Sequence, residues 1–138
     1  MKNFFSPSPL WQPSGIALIR IIVGIFMIYH GWEVFDPEKM KNYATWDNFK
    51  ESSFGLLMVY MGKIAELVGG IMLAIGCFTR LACLILICSM LYIALFIGHG
   101  KVWYEDQHPF LFVLLGFVFI FSGPGNWSVD KLLFNQKK

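Results

Sequence analysis

Four long apolar runs constrain this chain more than any other feature. Each is long enough to cross a bilayer core, which takes about 20 helical residues. They fall near residues 14–32, 54–76, 81–98 and 109–122. Backbone buried in hydrocarbon must pair its own N–H and C=O groups, which leaves helices or a closed barrel. Long apolar runs without period-2 alternation select helices. The expected fold is all-α: a four-helix transmembrane bundle.

Composition agrees. Of 138 residues, 57% are hydrophobic and 14% are charged, with a mean hydropathy of +0.59. A soluble domain carries roughly 25% charge. This chain has too few charges to clothe a water-facing surface, which argues against a soluble globule or a disordered tail. A formal charge of +2 is too small to imply an anionic partner, so nucleic acid is not an expected one. The length suits one domain, residues 1–138, and the expected environment is the lipid bilayer.

The separators are readable. A charged and aromatic loop covers 31–53, a tight turn 77–80, and a short polar loop 99–108. Gly123-Pro124-Gly125 ends the last run, because proline lacks an N–H and glycine weakens a helix. In the first loop, Asp36-Pro37-Glu38 reads as an N-cap, a proline at the first helical position and an acid near the positive helix end. Met40, Tyr43, Trp46 and Phe49 follow at three-residue spacing, which predicts a short interfacial helix or a plain aromatic belt. Ser128 or Asp130 would cap a second short interfacial helix at the C-terminus, anchored by Lys131, Lys137 and Lys138.

Met1-Lys2 is followed by a Pro-rich stretch with no visible cleavage site, so the first run is expected to stay as an anchor. Four crossings put both termini on one side. Lys2, Arg80, Lys131, Lys137 and Lys138 flank that side, and Lys39, Lys41, Lys50 and Lys101 the other. Five against four, with Arg20 on the larger side, favours termini on the cytoplasmic side. Cys77, Cys83 and Cys88 lie near the inner ends of the second and third runs. Their odd number and the lack of C-x-x-C argue against a disulfide framework. Only Cys77 and Cys83, near Arg80, have a setting that would suit a reactive thiol.

Ionisable groups inside a membrane need a partner or water. Arg20 lies in the first run, and Lys63 and Glu66 in the second. At ~1.5 Å per residue, Arg20 sits about 9 Å and Glu66 about 15 Å above the inner helix ends, within reach of each other if the helices are neighbours. Arg20, Gly24, Met27 and Gly31 share one face, with His30 beside them. Tyr60, Lys63, Glu66, Gly70 and Leu73 share another. Small residues let membrane helices approach closely, so these faces are expected to meet. An Arg20–Glu66 pair would either fix helix register or form a polar pocket in which Glu66 moves a proton.

His30, His99 and His108 cluster at the outer ends, with Glu33, Glu105 and Asp106 in the same layer. Their spacing carries no local ligand motif, so a metal or haem site is disfavoured. Plain interfacial chemistry beside Trp32, Trp103 and Tyr104 is one reading, and a quinone-like head group meeting His30, Lys63 and Glu105 is the other. No G-x-S-x-G, H-E-x-x-H or dinucleotide fingerprint occurs.

Three blocks, in order, resemble the DoxX family of small bacterial membrane proteins. The first is Arg20-x-x-x-Gly24 with His30-Gly31. The second is Glu66-x-x-Gly69-Gly70-x-x-Leu73-x-x-Gly76-x-x-Thr79-Arg80. The third is Gly123-Pro124-Gly125-x-x-Ser128-x-Asp130. The likeness spans about residues 14–133. It implies a four-helix membrane bundle and an association with redox systems. The family name comes from the small subunit of a thiosulfate:quinone oxidoreductase.

The expected function is therefore a membrane subunit or accessory of a quinone-linked redox system. Glu66, Arg20 and Lys63 would form its catalytic polar group, and His30, Tyr60 and Lys63 would bind the quinone. A redox protein would supply the electron carrier, and Gly-rich faces leave self-association open. A non-catalytic scaffold and a small permease or proton path are the alternatives.

Overall fold

Pro13 opens the first helix, where its missing N–H costs nothing. This helix, α1, runs Gln12–Gly31 and continues as a 3₁₀ turn over Trp32–Phe35. A computed structural model of the protein describes residues 10–134. Lys2, the Pro-rich stretch before residue 10, Lys137 and Lys138 lie outside the described residues. Two short helices follow, α2 over Pro37–Ala44 and α3 over Asp47–Lys50. Then come α4, Gly55–Ile75, and α5, Thr79–Tyr92, which ends in a π-helical turn over Ile93–Ile97. Last are α6, Gln107–Ser122, and α7, Val129–Phe134. The described residues contain no strand.

Three segments are long and apolar enough to cross a membrane: Gln12–Phe35, Gly55–Ile75 and Thr79–Ile97. Helix α6 is equally apolar but has only 16 residues, about 24 Å of helix. It is two residues longer than the run at 109–122 and still short of the roughly 20 residues that a crossing takes. Exposed apolar side chains cover the outward faces of all four long helices, among them Ile22, Ile25, Ile71, Leu84, Leu114 and Phe117. Water would reject such a surface and lipid accepts it.

Glycines set the closest approaches. A Cβ on Gly24 would lie 2.7 Å from Ala74 Cα, and one on Gly70 would lie 2.7 Å from the Ile28 nitrogen. These positions bring α1 and α4 into backbone contact. Helix α4 also packs on α5, and α5 on α6, where Gly116 receives Ile87. Helices α1 and α6 touch more lightly. The buried face of α1 is Ala17, Arg20, Val23, Gly24, Met27 and Gly31, which contains the predicted inward set. On α4, Glu66, Gly70 and Leu73 are buried as expected, whereas Tyr60 and Lys63 are half-buried.

The first loop departs from expectation. Asp36 does cap α2, accepting from the Glu38 and Lys39 amides at 3.1 Å each. The Met40–Phe49 stripe, however, is not one helix. It breaks at Thr45-Trp46, and Met40 and Phe49 (0% and 4% exposed) pack beside Val59, Tyr43, Tyr60 and Ile97. Three-residue spacing precesses around an α-helix, so a single straight helix could not bury all four side chains. The break lets the segment fold back onto α4 as a cover.

Candidate functional site

Two polar centres occupy opposite ends of the helix set. The first surrounds Arg20, which is fully buried. Its Nε donates to the Pro124 carbonyl at 2.8 Å, and Nη1 donates to the Ala74 carbonyl at 3.0 Å and to that of Leu73. Nη2 donates to the Trp127 carbonyl. The last four carbonyls of a helix lack intrahelical partners, and a cation there also meets the negative helix end. Arg20 meets two of them on α4 and ties that terminus to the Gly123-Pro124-Gly125 loop.

The motif residues gather around this clamp. Gly76 ends α4 at φ 69°, where a Cβ would lie 2.6 Å from Ser128 Cβ and 2.8 Å from Arg20 Nη1. Asp130 accepts from the Phe78 amide at 2.6 Å and the Thr79 amide at 2.7 Å, so it caps α5. Ser128 Oγ accepts from the Lys131 amide at 3.2 Å and is the residue that caps α7. The two candidate caps for α7 thus divide between two helices.

This arrangement corrects the expected Arg20–Glu66 pair. No ion pair joins the two among the described residues. Leu73, the Arg20 acceptor, lies seven residues from Glu66 on α4, about 10 Å along the axis. Four carbonyls already use four of the guanidinium's five donors.

Glu66 belongs to the second centre. Its Oε2 is 3.0 Å from Lys63 Nζ, one turn earlier on α4. The same ammonium is 3.0 Å from Glu33 Oε2 and donates to the His30 carbonyl at 3.3 Å. It also sits 5.3 Å from the centre of the Tyr43 ring, a cation–π distance. Tyr43 donates its hydroxyl to Glu33 Oε2 at 2.9 Å, and Lys39 reaches Glu33 Oε1 at 3.2 Å. Burial, together with the bond to Glu33, raises the Tyr43 phenol above its ordinary value. The Glu33 hydrogen bond raises Lys39 likewise.

This network heads a cavity of about 540 Å³. His30, Tyr43, Lys63, Glu66, Ser89 and His108 supply its polar lining. Met27, Met58, Met61 and Met90, with Trp46, Phe49 and Phe112, make the walls. Ile93 and Ile97 border it from the π-helical turn, a local widening common beside functional sites. A mostly apolar lining with a few polar groups is the composition of a small-molecule site, and flexible methionines let such walls adapt.

Of the sequence-predicted site residues, Glu66, Lys63 and His30 meet in this cavity. Arg20 lies in the other centre. Tyr60 is not in the lining and packs instead beside Met40, Phe49 and Val59. Glu105 pairs with Lys101 at 3.0 Å in an exposed loop, and its place is taken by His108. Among the described residues, no three His, Cys, Asp or Glu side chains gather as metal ligands. Cys83 is buried and Cys77 half-buried, while Cys88, the third thiol, is exposed.

The sequence pointed to Glu33 only as a carboxylate of the outer histidine layer, and gave Tyr43 and Trp46 no place in a site. Glu33 follows His30 by three residues, so its nearness to a helix-end histidine was the available signal. The loop aromatics gave none, because only the fold-back brings them to the cavity.

Among solved structures, none matches the chain. An uncharacterized protein of Haemophilus influenzae is 29% identical over 133 residues, covering 91% of this chain and 96% of the relative. Residues 15–100 match the DoxX family model, which takes in the first two motif blocks. The third block lies beyond that match and joins the first two through Arg20 and Asp130. On more than half its length, the chain belongs to the DoxX family.

Proposed function

We propose that the protein is a single-domain, four-helix transmembrane bundle of the bacterial inner membrane with cytoplasmic termini, serving a quinone-linked redox system as subunit or accessory. Family membership, three crossing-length helices and an apolar exterior support the membrane setting. A bilayer accommodates the short α6 by local thinning and by its polar flanks. Helix α7, with Leu132, Leu133 and Phe134 exposed beside Lys131, suits the interface.

The observation that carries the redox reading is the cavity itself. An ion pair between Lys63 and Glu66 lines a mostly apolar chamber. Buried charges at membrane depth are costly and mark substrate or proton sites. In this reading Glu66 and Lys63 hold and move protons at the head of a quinone-class lipid. His30 orients the head, and the methionine walls hold the tail. A partner protein carries the electrons.

The test is organic extraction of the purified full chain, with bound quinone quantified by absorbance. The reading expects quinone well above the level in the surrounding lipid, lost in Lys63→Met and Glu66→Ala. Quinone at background level in the wild type contradicts it.

A non-catalytic scaffold is the second reading. It draws on the Arg20 centre, whose motif residues Arg20, Gly76, Pro124 and Asp130 serve chain connections and do not line the cavity. It expects loss of a partner complex in Arg20→Met and no quinone enrichment.

A further inference from the structure

The donors and acceptors at the head of the cavity are unequally committed. Lys63 has three N–H bonds, and the structure gives each an acceptor: Glu33 Oε2, Glu66 Oε2 and the His30 carbonyl. The Tyr43 hydroxyl already donates to Glu33 Oε2, and Ser89 Oγ donates to the Ile85 carbonyl at 2.8 Å. These three lining groups have no donor left for a guest. Glu66 is the opposite case. It is 4% exposed, its Oε2 is taken by Lys63, and its Oε1 has no hydrogen-bond partner among the described residues. As the anionic half of an ion pair, it accepts only.

We infer that the Glu66 end of this cavity selects a phenolic hydroxyl head, the reduced dihydroxy form of a quinone-class lipid, over the oxidised dicarbonyl. The inference rests on the quinone-linked reading above and adds which form the site holds. A hydroxyl donates to Glu66 Oε1 without disturbing the Lys63 bonds. A carbonyl there faces an acceptor and covers the carboxylate oxygen without pairing it. A site built to receive a hydroxyl rejects the analogue that lacks it far more strongly than an apolar wall rejects a methyl group. The other lining groups do not discriminate. The His30 and His108 rings donate or accept, and the Trp46 indole donates to either kind of oxygen.

The test is calorimetric titration of the full chain in detergent, without oxygen. The probes are a short-chain hydroquinone, its quinone and its dimethyl ether. The hydroquinone binds at least about tenfold more tightly than either of the others, a charged hydrogen bond's share of affinity. Glu66→Gln, whose amide both donates and accepts, brings hydroquinone and quinone close together. If that variant does not fold, the ether decides in the wild type. Tighter binding of the quinone, or equal binding of the ether, overturns the inference and leaves the quinone-linked reading standing. Binding of none of the three removes both. A simple phenol that binds as well as the hydroquinone supports the hydroxyl preference and widens the ligand class.

Discussion

The Arg20 guanidinium donates to the Leu73 carbonyl at the C-terminal end of α4, two turns away from the Glu66 carboxylate. That single bond separates two roles a charge count would merge. Arg20 closes the fold where chain segments from three motif blocks meet. Glu66, with Lys63 and Glu33, heads the cavity at the other end.

Arg20→Lys should therefore be poorly tolerated. Lysine keeps the charge but not the fork that reaches Leu73, Ala74, Pro124 and Trp127 together. Leaving two or more part-buried carbonyls without a donor costs about 2–5 kcal/mol. Thermal unfolding in detergent should show a clear loss for Arg20→Lys and a larger one for Arg20→Met.

Asp130→Ala should cost about 1–2 kcal/mol, since it removes the side-chain cap from the Phe78 and Thr79 amides. Hydrogen exchange checks this locally. The first turn of α5 should lose protection, while the middle of α1 should not.

The glycines divide by what a methyl group would meet. Gly70→Ala drives a Cβ toward the Ile28 nitrogen and Met27 Cβ at 2.7 and 2.8 Å, where the backbone cannot yield. Overpacking of that kind costs about 1–3 kcal/mol. Gly15, also helical, has nothing within 4 Å. Gly15→Ala should be neutral or stabilising by up to ~1 kcal/mol. Unfolding midpoints of the two variants should move in opposite directions.

Lys63→Met should destabilise the protein by about 3–5 kcal/mol, because it leaves Glu66 buried without its cation. Adding Glu66→Gln should recover part of that loss, with a coupling of about 0.5–3 kcal/mol. A double-mutant cycle on unfolding free energies measures it. Additive losses would mean that the pair contributes no coupling.

The inward faces were legible because packing between apolar helices leaves a simple trace. Arg20, Gly24, Met27 and Gly31 repeat at three and four residues, and all but the charge are small or apolar. Arg20's partners were not legible. Every residue has a carbonyl, so a sequence offers no sign of which ones a guanidinium will find. Tyr60 misled for a geometric reason. Each three-residue step falls about 60° short of a full turn, so Tyr60 and Glu66 sit roughly 120° apart around α4. Glu33 and Tyr43 joined the site through the fold-back of α2 and α3, a tertiary event that local pattern does not encode.

The most direct test is photolabelling with a tail-bearing quinone analogue in native membranes, followed by mapping of the modified residues. A cavity site predicts adducts on lining residues such as Met58, Met61, Met90 and Phe112, suppressed by excess unlabelled hydroquinone. Adducts confined to lipid-facing side chains such as Ile22, Leu84 and Leu114, unaffected by competitor, would contradict it.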